Sequence, residues 1–179
     1  MEGIIDERMA DEREARYLRL LGEHECAVHR LAASYEREPA RRQDLVQEIW
    51  LALWQALPAF RGDCAERTFV FRIAHNRAVS HVQHWRRRRT ETLDGSEPIP
   101  AATPDPEHAA TERQRRERLQ AAVLRLPLGL RQAIVLRLEG LSQREIGDVL
   151  GISENNVAVR LTRARAALAL QLESSGDRS

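Results

Sequence analysis

The stretch "SQREIGDVLGISENNVAVRLTRARAALALQL", Ser142–Leu172, decides how this chain folds. Ser142 followed three residues later by Glu145 is a capping box, in which hydroxyl and carboxylate each satisfy a backbone N–H that a helix start leaves unpaired. It opens a short helix over "SQREIGDVL". Gly151 stands where a helix needs a left-handed terminator, a conformation that glycine adopts without a Cβ penalty. Ser153 then caps a longer helix. A short capped helix, a tight glycine turn and a longer capped helix make a helix-turn-helix. Each signal alone is common; in this order they specify one unit.

The faces of the second helix follow from its period. Val157, Leu161, Ala164 and Leu168 recur at i, i+4, i+7 and i+11, the spacing of a buried stripe. With Ile146, Val149, Leu150 and Ile152 they close a small core. The opposite face carries Asn155, Asn156, Val159, Thr162 and Arg163, with Arg160 and Arg165 flanking the stripe. Such a face suits a DNA major groove. Asn pairs bidentately with adenine, Arg with guanine, and a bare Val or Thr methyl meets the thymine methyl. The flanking arginines suit phosphates. The alternative is a solvated helix face, which an exposed Val159 fits less well.

Two further helices precede this unit: "ERQRRERLQAAVLRL", closed by Pro127, and "GLRQAIVLRLE", ended by Gly140. Before them, "TETLDGSEPIPAATPDPEHAAT" (Thr90–Thr111) holds four prolines, is acidic and has no apolar period. Proline removes donors and breaks helices, so this segment reads as a linker. It divides the chain into parts at 1–89 and 113–179, joined by 90–112. No strand-like alternation occurs outside it, so the expected fold is all-α: two small helical domains on an acidic, proline-containing linker.

Charge follows the same division. The chain of 179 residues has a net charge of +1, and all 28 of its basic residues are arginine, a composition that a GC-rich genome readily produces. Residues 1–60 hold 8 Arg against 12 acids, 61–89 hold 8 against 2, 90–112 hold none against 6, and 113–179 hold 12 against 7. Two basic blocks separated by an acidic one point to two polyanion-binding surfaces.

The first basic block is "CAERTFVFRIAHNRAVSHVQHWRRRR". Val70, Ile73, Ala74 and Ala78 mark a stripe at helical spacing, which leaves Phe69, Arg72, Asn76, Gln83 and Arg87 on one face. Cations track a nucleic-acid backbone, while an aromatic ring can stack an unpaired base for roughly 1–3 kcal/mol. The mixture hints at single-stranded or opened DNA. The alternative is that the rings are core and the arginines a solvated helix end.

Ahead of it lies "DLVQEIWLALWQAL" (Asp44–Leu57), with two of the three tryptophans. Asp44, Gln47, Glu48 and Gln55 cluster in a narrow arc with Leu51 in its middle. Apolar residues cover about 200°, where a surface helix shows a stripe a little over 100° wide. The excess is either burial on two sides or a docking surface of aromatic and polar groups.

"DLVQEIWLALWQALPAFRG", "ERTFVFRIAHNRAVSHVQHWRRRR" and "LPLGLRQAIVLRLEGLSQREIGDVLGISENNVAVRLTRARAAL", in this order and spacing, resemble an extracytoplasmic-function (group 4) sigma factor of bacterial RNA polymerase. The resemblance implies a region 2 bundle in residues 1–89 and a region 4 helix-turn-helix in residues 113–179. It implies that Asp44, Gln47, Glu48, Leu51, Trp54 and Gln55 dock on the clamp helices of the largest catalytic polymerase subunit. It further implies that Arg61, Cys64, Arg67, Phe69, Arg72, Asn76, Gln83 and Arg87 meet the opened −10 strand, the loop Arg61–Glu66 taking a flipped base. Asn155, Asn156, Val159, Arg160, Thr162, Arg163 and Arg165 would read the −35 duplex, and an anti-sigma protein would be a partner. Phe69 stands where many members have Trp, which keeps an aromatic, whereas Ala158 and Val159 replace commoner Lys/Arg and Ser, so the resemblance leaves the −35 sequence read here open.

Other classes are less well supported. A regulator with a LuxR-like helix-turn-helix accounts for the second part and leaves Asp44–Leu57 without a role. His24, Cys26 and His29 sit close in sequence, as do His75, His81 and His84, but His24 and Cys26 cannot share a helix face and a zinc site needs three or four ligands. No metal, cofactor or catalytic set is therefore expected, and the chain is not expected to be an enzyme. Cys26 and Cys64 make no disulfide framework. With an acidic start lacking an apolar segment, and "IWLALW" as the longest apolar run, a soluble cytoplasmic protein is expected.

Overall fold

A computed structural model describes residues 2–91 and 109–176, with side chains over 11–88 and 114–173. Among them every regular element is helical: α1 (Glu2–Ala33), α2 (Pro39–Ala56), a 3-10 turn (Leu57–Ala59), α3 (Glu66–Glu91), α4 (Ala109–Arg125), α5 (Leu128–Leu138), α6 (Gln143–Leu150) and α7 (Glu154–Gly176). Helices α3 and α4 reach into both ends of the proline-bearing segment, because its prolines lie only between Pro98 and Pro106. The four prolines and the four acidic residues between these helices (Asp94, Glu97, Asp105 and Glu107) lie outside the described residues.

The capping grammar of the second half holds in detail. Ser142 accepts from the Glu145 N–H at 3.2 Å, and Glu145 accepts from the Ser142 N–H at 2.7 Å. Gly151 closes α6 in the left-handed region at φ 66°, and Ser153 accepts from the Asn156 N–H at 3.3 Å. Val157, Leu161, Ala164 and Leu168 are buried together with Ile146 and Val149, while Leu150 and Ile152 are half-buried against them.

In the first half, α1, α2 and α3 pack on one another around Leu20, Val28, Leu31, Leu45, Ile49, Leu53 and Phe71. Glu38 caps α2 by accepting from the Ala40 and Arg41 N–H groups, and these bonds hold its carboxyl below the usual range. The α3 stripe corrects the sequence expectation. Val70, Ala74 and Ala78 are buried as expected, and Phe71 is core as the alternative reading of the rings has it, but Thr68 and His75 are buried too, whereas Ile73 is only half-buried against the core, in a surface hollow beside Ala52, Ala56 and Asn76. The reason is that α3 is covered by three helices: α1, α2 and α6. A periodicity argument assumes one buried face and misplaces the centre when a third element adds another.

The two halves share one continuous core and a polar seam. Arg30 on α1 donates to both carboxylate oxygens of Glu139, at 3.0 and 2.7 Å. Gln120 on α4 donates to the Ala33 carbonyl at 2.9 Å. The Tyr35 hydroxyl lies 3.3 Å from His75 Nδ1, and Tyr35 also feels the charge of buried Arg131 on α5.

Two stability predictions follow from this packing. A Cβ on Gly147 would lie 2.8 Å from the Ile152 carbonyl oxygen, a backbone atom inside the turn. Gly147→Ala is therefore expected to destabilise the chain by about 1–3 kcal/mol, read as a lowered urea midpoint. His75 is buried, and desolvation pushes its pKa down to about 4 from 6.5. A depressed histidine pKa means that the unfolded chain binds the proton more readily. Its contribution is thus complete above pH about 6.5 and is lost as pH falls toward 4. Between pH 7 and 5 the loss should be on the order of 2 kcal/mol, and urea melts of His75→Gln should be flatter over that window than wild type.

Candidate nucleic-acid interface

The outward face of α7 is built as its sequence pattern demands. Asn155, Asn156, Thr162, Arg163 and Arg165 are exposed, and Val159 keeps 42% of its surface open although it is apolar. Arg160 is half-buried: its Nε donates to Asn156 Oδ1 at 3.1 Å, and the guanidinium lies against Gly129. That bond fixes the Asn156 amide, so the two residues form one pre-oriented donor and acceptor group. Thr162 donates to the Ala158 carbonyl at 3.0 Å, so its hydroxyl is already engaged on the helix. The result is a rigid convex helix face of amides, guanidiniums and one bare Val, with chemistry matched to base edges and phosphates.

On α2 the structure separates the two tryptophans. Trp50 is buried with Leu45, Val46, Ile49, Ala52 and Leu53, since α1 and α3 cover the helix from two sides. Most of the wide apolar arc is therefore internal. What stays outside is Leu51, 57% exposed, among exposed Asp44, Gln47, Glu48 and Gln55, with Trp54 half-buried at the margin. Trp54 is clamped from α1. The Arg13 guanidinium stacks 3.9 Å from its ring centroid and donates to its carbonyl at 2.7 Å, and the Tyr17 ring meets it edge-on at 5.2 Å. Arg13 and Tyr17 went unnoticed in the sequence, although their i, i+4 spacing on a helix was a usable signal.

The α3 residues do not form one continuous open strip. Arg61 is exposed and Cys64 half-buried in the loop before α3, where Gly62 adopts φ 81°. The α3 start is pinned by Glu66, which accepts from Arg16 and Arg19 at 2.8–2.9 Å. Those guanidiniums, Arg19 foremost, hold its carboxyl below the usual range. Phe69 is half-buried in a tilted stack with Phe60, centroids 4.3 Å apart, and Arg16 lies over the Phe60 ring. Phe60, which the sequence pattern did not single out, is thus the ring partner of Phe69. Asn76, Gln83 and Arg87 are exposed. Arg67 and Arg72 instead turn to the second half of the chain: Arg67 donates to the Glu139 carbonyl and Arg72 to the Asp148 carbonyl at 3.1 Å.

The histidines and cysteines have other occupations. His81 pairs with Glu36 at 3.0 Å, His24 lies edge-on to Phe71, His84 meets Trp85, and both cysteines are free thiols. Among the described residues no three His, Cys, Asp or Glu side chains come together as a metal set, and no helix is long and apolar enough to cross a membrane.

Known proteins share this arrangement. Residues 20–90 match the family model for sigma-70 region 2, and residues 116–168 match that for sigma-70 region 4. The RNA polymerase sigma factor CnrH of Cupriavidus metallidurans is 29% identical, over 98% of this chain and 96% of its own. The ECF RNA polymerase sigma-E factor of Escherichia coli K12 is 34% identical over 70% of each chain. The solved structure of CnrH in complex with the cytosolic domain of CnrY superposes with a TM-score of 0.69 at 26% identity, covering 96% of both chains. The two helical units, the order of the motifs and these relatives converge: the chain belongs to the extracytoplasmic-function sigma factors of the sigma-70 family.

Proposed function

We propose that this protein binds core RNA polymerase through the outer face of α2 and directs initiation at a defined set of promoters. Residues 1–89 act as the docking and −10 unit, residues 113–179 as the −35 unit, and residues 90–112 as the tether between them. The observation that carries the docking assignment is Leu51, a large apolar side chain left open on an otherwise well-covered helix and ringed by carboxylates and amides. Such a centre with a polar rim is the pattern of a protein-binding hot spot. Asp44, Gln47, Glu48, Trp54 and Gln55 supply the rim, aimed at the clamp helices of the largest catalytic subunit.

The rest of the function is differential binding and involves no chemical step. The α7 face (Asn155, Asn156, Val159, Arg160, Thr162, Arg163 and Arg165) reads the −35 element as duplex. Arg61, Cys64, Arg67, Phe69, Arg72, Asn76, Gln83 and Arg87 hold the −10 element once it opens, with base stacking on Phe69 and phosphates on the cations. Both contacts are salt-dependent through counterion release. The CnrH structure, solved with the cytosolic domain of CnrY, supports an anti-sigma partner here as well. A cytoplasmic location follows from partnership with polymerase. A helix-turn-helix regulator that never docks on polymerase would leave residues 20–90 unemployed, and the region 2 match there argues against it.

Leu51→Glu places a charge at the centre of the docking face without touching the core. It should lower affinity for sigma-free core polymerase by roughly 10- to 100-fold, with an unchanged thermal midpoint. Equal co-elution of variant and wild type with core would remove α2 from the interface.

A further inference from the structure

Contacts in series fix one side chain on the α7 face. Ser153 accepts from the Asn156 N–H at 3.3 Å, so the backbone of this residue is held by the helix cap. One turn on, Arg160 Nε donates to Asn156 Oδ1 at 3.1 Å, the i, i+4 spacing at which side chains on a helix meet. The Arg160 guanidinium in turn rests on Gly129 near the start of α5, where a Cβ would lie 3.7 Å from Nη1, and the residue is half-buried. Arg163 and Arg165, by contrast, are exposed. Asn156 is exposed as well, and among the described residues its amide NH2 has no hydrogen-bond partner.

From this we infer that Arg160 is a positioning residue that sets which base Asn156 reads, rather than a phosphate contact. The inference rests on the assignment of α7 to the −35 duplex proposed above and names a specificity determinant within it. A free asparagine suits adenine, because its oxygen accepts from N6 while its NH2 donates to N7. Here the oxygen is already taken by a guanidinium. Its second lone pair can be approached only beside that fixed positive charge, which repels an amino group brought to the same place. Asn156 therefore faces the groove as a donor. Adenine and cytosine both present an amino group at the major-groove edge, and thymine offers one acceptor beside a methyl. Guanine offers two acceptors, O6 and N7, and no donor. Residues near the start of a recognition helix are the ones that reach base edges, and Asn156 is in the first turn of α7. Guanine is thus the base expected opposite Asn156.

Base preference separates this role from a phosphate contact, which carries no sequence information. Duplex fragments randomised over the −35 element would be selected with the full-length protein and sigma-free core polymerase. Wild type, Arg160→Met, Asn156→Ala and the double variant Asn156→Ala/Arg160→Met would be compared. Methionine keeps an apolar stem over Gly129 and removes both the donor and the charge. Wild type should select guanine at one position where Arg160→Met selects adenine, the guanine-to-adenine ratio falling about tenfold, with the other positions unchanged. Asn156→Ala should erase the preference at that same position, and adding Arg160→Met to it should change nothing further there. An Arg160→Met variant that recovers every sequence less well but keeps the wild-type preference overturns the inference. So does a wild-type preference for adenine at the position that Asn156→Ala erases. Both of these outcomes leave the −35 assignment of α7 standing, whereas a wild type that selects no sequence brings down that assignment and this inference with it.

Discussion

The helices of this protein are held in place at their C-terminal ends. A helix leaves its last four carbonyls without intrahelical donors, and in this chain a side chain from another helix supplies them repeatedly. Gln120 closes α1 at Ala33, Arg13 closes α2 at Trp54, and Arg131 closes α4 at Leu124 and Leu126. Arg67 meets the carbonyl just past α5, and Arg72 that of Asp148 in α6. Arginine suits this work because its planar fork offers several donors in a fixed geometry and it never loses its charge. With aromatics at only 4% of residues, much of the directional information that large rings would give is carried by these bonds. They also link elements distant in sequence, so they bind the two halves as well as closing each helix.

The local grammar of the second half was legible because its signals act over three or four residues. The Ser142–Glu145 box, the left-handed Gly151 and the Ser153 cap need nothing beyond their own helix. The outward placement of Asn155, Val159 and Arg163 followed from one period set against one core. On α3 the same logic misjudged the buried face, centring it on Ile73, which is only half-buried, and passing over Thr68 and His75, while Phe71 follows the alternative in which the rings are core. Nothing within residues 66–91 announces that α6, over fifty residues later, will pack there. The stack of Phe60 on Phe69 was invisible for the same reason, and the i, i+4 spacing of Arg13 and Tyr17 placed them on one face without naming Trp54 as their partner: contacts between elements are set by tertiary docking, which periodicity does not encode. The tryptophans of α2 show both limits at once. Their arc was correctly seen as too wide, yet most of it is buried on two sides and only Leu51 remains as open apolar surface.

Functionally, the fold sets three surfaces of different chemistry on one small body. The α2 face is apolar at its centre and acidic at its rim, the α7 face is amide and guanidinium, and the α3 strip is aromatic and cationic. On the proposed function, surfaces held on one scaffold gain from effective concentration once a partner fixes their spacing, because the second and third contacts become intramolecular.

Run-off transcription with sigma-free core polymerase, the purified protein and a library of genomic promoter fragments tests the central claim most directly. Defined start sites that appear only when the protein is added, each preceded by two elements at constant spacing, are the expected result. Absence of initiation while the protein still shifts duplex DNA would contradict it and leave a DNA-binding regulator in its place.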